Sequence, residues 1–250
     1  MRIVFLFFAL YFFTINTNAN DDVLVVTEVM PPFQIVNAED GQLEGLGVNI
    51  VEYMLKEANI DAPIHLLPWA RAYKLARTTP NTIIFTLAFT KERQKDFIWV
   101  GDVDKQRIFY WGLKSKFPAK KGRNFSARDH YIGVSRHSNI ETFFIQQSFK
   151  KLYPLVNEDH GLQMLFNKRI DLFVESEISL RYRTKKLGLN FDELVQLEEI
   201  HGLNQYLGIA INKDSSKELV HTLKAAYKRL LKQGVIEELR RKWLDDLPAR

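Results

Sequence analysis

In this 250-residue chain, Thr86-Leu87-Ala88-Phe89-Thr90-Lys91-Glu92-Arg93 is the segment whose residue types could act on a small molecule. It follows directly on Thr82 to Thr86, which reads as a buried strand. Small hydroxyl residues and backbone groups leaving a strand end form a floor for a ligand in an open α/β sheet. Arg93 could then hold a carboxylate with two parallel hydrogen bonds. The plainer reading of a Thr-x-x-Arg turn is capping and a solvated charge. Ser138 with Glu141 three residues on has the spacing of a capping box. In Pro68-Trp69-Ala70-Arg71-Ala72, Trp69 offers a stacking surface and Arg71 a second anion contact. The alternative there is a buried Trp and a helix-surface Arg.

Other chemistries lack their residues. The chain has no Cys, which excludes a disulfide framework, a thiolate nucleophile and Cys-based metal sites. The six His, at 65, 130, 137, 160, 201 and 221, form no close pair with metal-ligand spacing. No G-x-S-x-G, phosphate loop or dinucleotide fingerprint occurs, so nothing calls for a cofactor or a metal. The composition, 46% apolar and 26% charged, is that of a globular chain rather than a disordered one. A formal net charge of +5 is spread along the sequence and balanced locally. The densest basic stretch, Arg181 to Lys186, reads as the solvated face of a helix, so no nucleic-acid partner is expected.

The elements that must position these residues alternate between strand and helix, an α/β pattern. Val23 to Thr27 is a strand, and Pro31-Pro32-Phe33 forces an extended path after it. Val48, Val51, Leu55 and Ala58 mark an amphipathic helix after Gly41, Gly45 and Gly47. Ile64 to Pro68 is a strand, Ala70 to Arg77 a helix, and Arg107 to Lys114 a further strand. A second series follows: strand Tyr131 to Val134, the Ser138-capped helix, strand Leu152 to Val156, helix Gly161 to Lys168 and strand Ile170 to Val174. Tyr206 to Ile211 is a strand, and the tail is two helices separated by Gly234. No Pro- or Ser-rich spacer divides the series.

At the N-terminus, Arg2 precedes the apolar run Ile3 to Phe13, and Thr17 and Ala19 are small residues at the −3 and −1 positions of a cleavage site. This is the anatomy of a secretory signal peptide over residues 1–19, cleaved after Ala19, and the run is too short to span a membrane. A periplasmic product follows.

The ordered set resembles the family 3 periplasmic solute-binding proteins, the receptors of polar amino-acid ABC importers. It comprises Thr27-Glu28, Pro31-Pro32-Phe33, Gly41-x-x-x-Gly45, Thr90-x-Glu92-Arg93, Phe97-x-Trp99, Ile132-Gly133-Val134, Arg169-Ile170-Asp171-Leu172, Tyr206 to Ile211 and Lys242-Trp243. The resemblance covers essentially all of the chain after residue 19. It implies a two-lobe, type II periplasmic-binding-protein fold with a ligand cleft between the lobes and a two-strand hinge. Lobe one would take residues 20–106 and 204–250, and lobe two residues 107–203.

Carried onto this sequence, the resemblance makes Arg93 the carboxylate clamp, Thr86 and Ala88 lining positions, and Ser138 and Asn139 the lobe-two helix start that favours an anion. Where the family has its amine-binding Asp, this chain has Ser176, flanked by Glu175 and Glu177. Either Glu175 or Glu28, an acidic position of the first strand, would take its place. Met30 stands where a stacking aromatic is frequent, leaving Phe33 as the nearest ring. The implied function is a non-enzymatic, monomeric receptor that closes on a small polar, carboxylate-bearing solute, an amino acid or a relative, and delivers it to the membrane permease of an ABC importer. Two alternatives stay open on the same fold. One is a periplasmic dehydratase or lyase using Glu175 as general acid, and the other is a sensor subunit for a membrane kinase.

Overall fold

Strands and helices alternate from Leu24 onward, and what each strand buries decides its place. The computed structural model describes residues 23–118, 125–203 and 205–244. The signal peptide read over residues 1–19 lies outside them. The first series runs β1 (Leu24–Thr27), β2 (Ile35–Val36), β3 (Leu43–Glu44), α1 (Leu46–Glu57), β4 (Ile64–Leu66), α2 (Trp69–Thr78), β5 (Thr82–Ala88) and β6 (Phe97–Gln106). The second runs β7 (Phe109–Leu113), β8 (Ile132–Ser135), α3 (Asn139–Gln146), β9 (Leu152–Leu155), α4 (Glu158–Phe166), β10 (Leu172–Glu175), α5 (Glu177–Lys186) and β11 (Leu194–Glu199). The chain then returns through β12 (Gln205–Asn212) and ends in α6 (Lys217–Lys232) and α7 (Val235–Leu244).

Two five-stranded sheets result, ordered β4-β1-β5-β12-β6 and β11-β7-β10-β8-β9. β5 is buried at all seven positions, as a central strand covered on both faces must be. It pairs parallel with β1 and antiparallel with β12. One face of this sheet packs Val25, Ile83 and Ile209 against Leu46 and Ile50 of α1 and Leu223 of α6. The other packs Val26, Ile84 and Ala210 against Ala72 and Ala76 of α2. The second sheet likewise carries a core on each face, around Ile132 and Phe144 on one side and Leu162 and Phe173 on the other. Each fully buried aliphatic side chain contributes about 1.5–3 kcal/mol. Four such clusters give a chain without cysteines its stability.

The strand read over Arg107 to Lys114 is continuous but starts two residues later, at Phe109. Pairing in the first sheet ends at Gln106 and pairing in the second starts at Phe109, so Arg107 and Ile108 form a crossing between sheets. The return crossing lies between Glu199 and Gln205. The two are tied together: Ile200 N–H donates to the Ile108 carbonyl at 2.8 Å, and Arg107 pairs with Glu199. α1 begins earlier than the apolar periodicity indicated, because Gly45 takes φ +131° and admits the turn. A Cβ there would lie 2.3 Å from the Phe33 carbonyl oxygen. α4 also begins earlier than Gly161, at Glu158, because Asn157 caps it by accepting from His160 N–H at 3.1 Å.

Candidate ligand-binding cleft

The carboxyl ends of β1 and β5 in one lobe face those of β8 and β10 in the other across a cavity of about 630 Å3. Open α/β sheets place ligands at such strand ends. Glu28 leaves β1, Thr86 and Ala88 end β5, Trp69 opens α2, and Arg93 follows on the loop after β5. Ser138 and Asn139 start α3 on the opposite wall, Glu158 and Asp159 start α4, Glu175 ends β10, and Arg183 reaches in from α5.

Arg93 is only 8% exposed. Its Nη1 donates to the Ala88 carbonyl at 2.8 Å, and its guanidinium carbon lies 5.1 Å from the Trp69 ring centre and 5.2 Å from that of Tyr73. Burial holds its pKa below the ordinary value, and Tyr73 and Glu28 oppose that effect. An Arg stays cationic under such a shift, and here it is braced by aromatic faces and by a hydrogen bond with the Tyr73 side chain. In this structure the side chain is part of its lobe's packing.

The hydroxyls of Thr86 and Ser138 both donate within their own lobes. Thr86 Oγ1 donates to the Phe85 carbonyl at 2.7 Å and accepts from Gln34 Nε2. The residue sits at φ +52°, unusual for a β-branched side chain. Ser138 Oγ donates to the Ser135 carbonyl at 2.7 Å and accepts from Glu141 N–H at 3.1 Å, while Glu141 accepts from His137 N–H at 2.5 Å. This reciprocal capping fixes the start of α3, whose first N–H groups lack intrahelical partners. Asn139 and Ile140, in that turn, line the cleft.

Beside these donors lies a cluster of acids. Glu28 is half-buried, and its pKa is pushed up to about 8 by burial and by Glu158, against the pull of Arg183 and Arg93. Glu175 is raised too, again by burial first, although Arg183 and the Ser176 N–H, 2.9 Å from Oε1, lower it. Arg183 stands among three acids and is 4% exposed. Nη1 bonds Asp159, Nε lies 3.6 Å from Glu175 Oε2, and Nη2 lies 4.0 Å from Glu158 Oε2. Burial alone would lower its pKa, but Glu175, Glu158 and Asp159 together raise it. Asp159 also takes Lys186 Nζ at 2.8 Å. Burial would raise its pKa, but these two cations hold it below the ordinary carboxylate value.

Eight residues singled out in the sequence therefore meet in one cavity: Glu28, Trp69, Thr86, Ala88, Arg93, Ser138, Asn139 and Glu175. Two do not. Phe33 is fully buried in the first lobe's core with Leu46 and Val48, because the Pro31-Pro32 turn folds it beneath α1. Arg71 is exposed on α2 and lies outside the cleft, because Trp69 and Tyr73 occupy the i, i+4 stripe of that helix that meets Arg93. Ser176 is 3% exposed and caps α5 instead of lining the cavity. Reading Arg181 to Lys186 as a solvated face overlooked Arg183, and with it Glu158 and Asp159. A signal was present: Glu175, Ser179 and Arg183 recur every fourth residue, which puts the last two on one helix face, and both are buried.

The family model for bacterial extracellular solute-binding proteins, family 3, matches residues 23–246. The chain belongs to that family. An arginine-binding periplasmic protein of Mannheimia haemolytica is 25% identical over 243 residues, which cover 94% of this chain and 96% of the relative. Among solved structures, a histidine kinase sensor domain with similarity to periplasmic binding proteins superposes with a TM-score of 0.77 at 16% identity, covering 90% of this chain and 97% of that one. The arginine-, lysine-, histidine-binding protein ArtJ of Geobacillus stearothermophilus gives 0.75 at 16% identity, covering 90% and 96%. The family-3 chain thus has the two-lobe type II periplasmic-binding-protein fold that its motifs implied.

Proposed function

We propose that this family-3 protein is a periplasmic receptor that closes on a cationic amino acid of the arginine type and hands it to an ABC permease. One observation carries the reading. Glu28 from one lobe and Glu158 and Glu175 from the other enter the cavity that holds Arg93 and the α3 start. Arg93 and the α3 N–H groups suit the ligand's carboxylate. Glu158 and Glu175 share Arg183 with Asp159, and Glu28 and Glu175, whose pKa values burial raises, would gain by ionising beside a cation, so the three acids suit the ligand's positive groups. In this reading Glu28 and Glu175 together do the work of the Asp that Ser176 replaces. The arginine-binding relative supports the ligand class. Lobe one (residues 20–106 and 204–250) and lobe two (residues 107–203) move as bodies about the crossings at Arg107–Ile108 and after Glu199. Export through a signal peptide cleaved after Ala19 and action as a monomer complete the proposal.

A thermal-shift screen of the chain from Asn20 onward tests it, using amino acids, diamines and small organic acids. A ligand at one hundred times its Kd adds about 2.7 kcal/mol to apparent stability, which for a chain of this size is roughly 5–10 °C. The expected result is the largest rise with arginine or lysine. A rise with organic acids or diamines and none with amino acids contradicts the reading.

A further inference from the structure

We infer that Trp69 is a positioning residue whose indole N–H latches the two lobes together and ties the anion site at Arg93 to closure. Trp69 opens α2 in the first lobe, and its Nε1 donates to the His137 carbonyl of the second lobe at 3.1 Å. The same ring lies 5.1 Å from the Arg93 guanidinium and stacks on Tyr73 with centroids 5.1 Å apart and planes at 24°. One side chain therefore touches the anion site with its face and the opposite lobe with its edge.

The acceptor is built to stay in place. His137 is held at φ +60°, its N–H is taken by Glu141, and the next residue is the Ser138 cap of α3. Rotating that carbonyl away would undo the cap. A second bond between lobes differs in kind. Ser179 Oγ donates to the Pro31 carbonyl at 2.6 Å, with Ser179 only 1% exposed and the neighbouring Ile178 packed on the first lobe's core. Breaking that bond would strand buried polar groups. The Trp69 bond lies at the exposed rim, where water replaces it when the lobes part. It is therefore suited to bias closure reversibly, and because it uses no ligand atom it acts on the empty protein too. An exchangeable bond of this kind changes a two-state ratio by about 2- to 12-fold.

The absence of native cysteines makes the test clean. Cysteines replacing Lys74 on α2 and Gln146 on α3, both exposed, would carry spin labels for distance measurement in the empty protein. Trp69→Phe keeps a ring for Arg93 and Tyr73 but removes the N–H. The closed-to-open ratio is expected to fall about 2- to 12-fold in Trp69→Phe. With L-arginine as probe, dissociation should quicken by a similar factor while association stays the same. Identical distance distributions in the two backgrounds, a fully open empty protein in both, or a loss confined to association would each overturn the latch. The ligand arm rests on the receptor reading, whereas the empty-protein distances do not. Failure of arginine to bind would therefore count against the receptor and leave the latch to be decided by the distances.

Discussion

Arg93→Ala is expected to weaken arginine binding by roughly 30-fold to several thousand-fold. Truncating one partner of a desolvated charge pair costs about 2–5 kcal/mol, far more than an exposed ion pair is worth. Arg93 is 8% exposed and braced by Trp69 and Tyr73, so its charge meets the ligand with little screening. Arg93→Lys should recover only part of the loss, because an ammonium keeps the charge but neither forks across a carboxylate nor stacks flat on the rings. The empty variant should also melt earlier, since the bond to the Ala88 carbonyl and both ring contacts go with the side chain. Calorimetric titration and scanning calorimetry of the three proteins check both effects. Unchanged affinity in Arg93→Ala would remove the carboxylate clamp from the account.

The second large effect belongs to Arg183. Replacing it with Met keeps length and apolar contact but leaves Glu175 without its cation and Asp159 with Lys186 alone. Breaking a buried ion pair from one side costs about 3–5 kcal/mol, because the surviving charge stays desolvated. Urea unfolding at neutral pH should show that loss in the midpoint. The deficit should shrink on acidification, since protonation neutralises the stranded carboxylates. In the wild type, Asp159 is held below its ordinary value, so its share of stability is present at neutral pH and is lost as pH falls through its folded value. Glu28 has the opposite sign. Its pKa is pushed up to about 8 in the fold against 4.5 ordinarily, so its own contribution to the empty protein's stability grows as pH falls from about 8 toward 4.5. A variant as stable as the wild type at neutral pH would show that the acids around Arg183 do not depend on it.

How much of this was legible in the sequence follows from the range of each interaction. Strand β5, the capping box at Ser138 and the stop at Gly234, which adopts φ +78°, depend on residues close in the chain, and their patterns show directly. The order of motifs carried the fold, because each supplies one strand end or helix start of a two-lobe sheet pair. β6 and β11 were missed as full strands. β6 mixes buried and exposed positions and carries Gly101, where a Cβ would lie 2.5 Å from the Tyr227 ring. That packing reason lies 126 positions away and leaves no local trace. Within the site, the residues at strand ends could be read, whereas the orientation of helix residues could not. Phe33 and Arg71 sit in the right segments but point elsewhere. Arg183 looked like surface until α4 brought Glu158 and Asp159 to it from 25 and 24 positions back.

The most direct test of the account is calorimetric titration of the chain from Asn20 onward with L-arginine at pH 7, in two buffers of different ionisation enthalpy. Glu28, with a pKa of about 8, is mostly protonated in the empty cleft at that pH. A ligand cation settling beside it should return it to the ionised form. The predicted result is saturable one-to-one binding with net proton release, a release that Glu28→Gln reduces. No saturable binding, or binding without proton release, would contradict a cleft whose acids are arranged to receive a cationic amino acid.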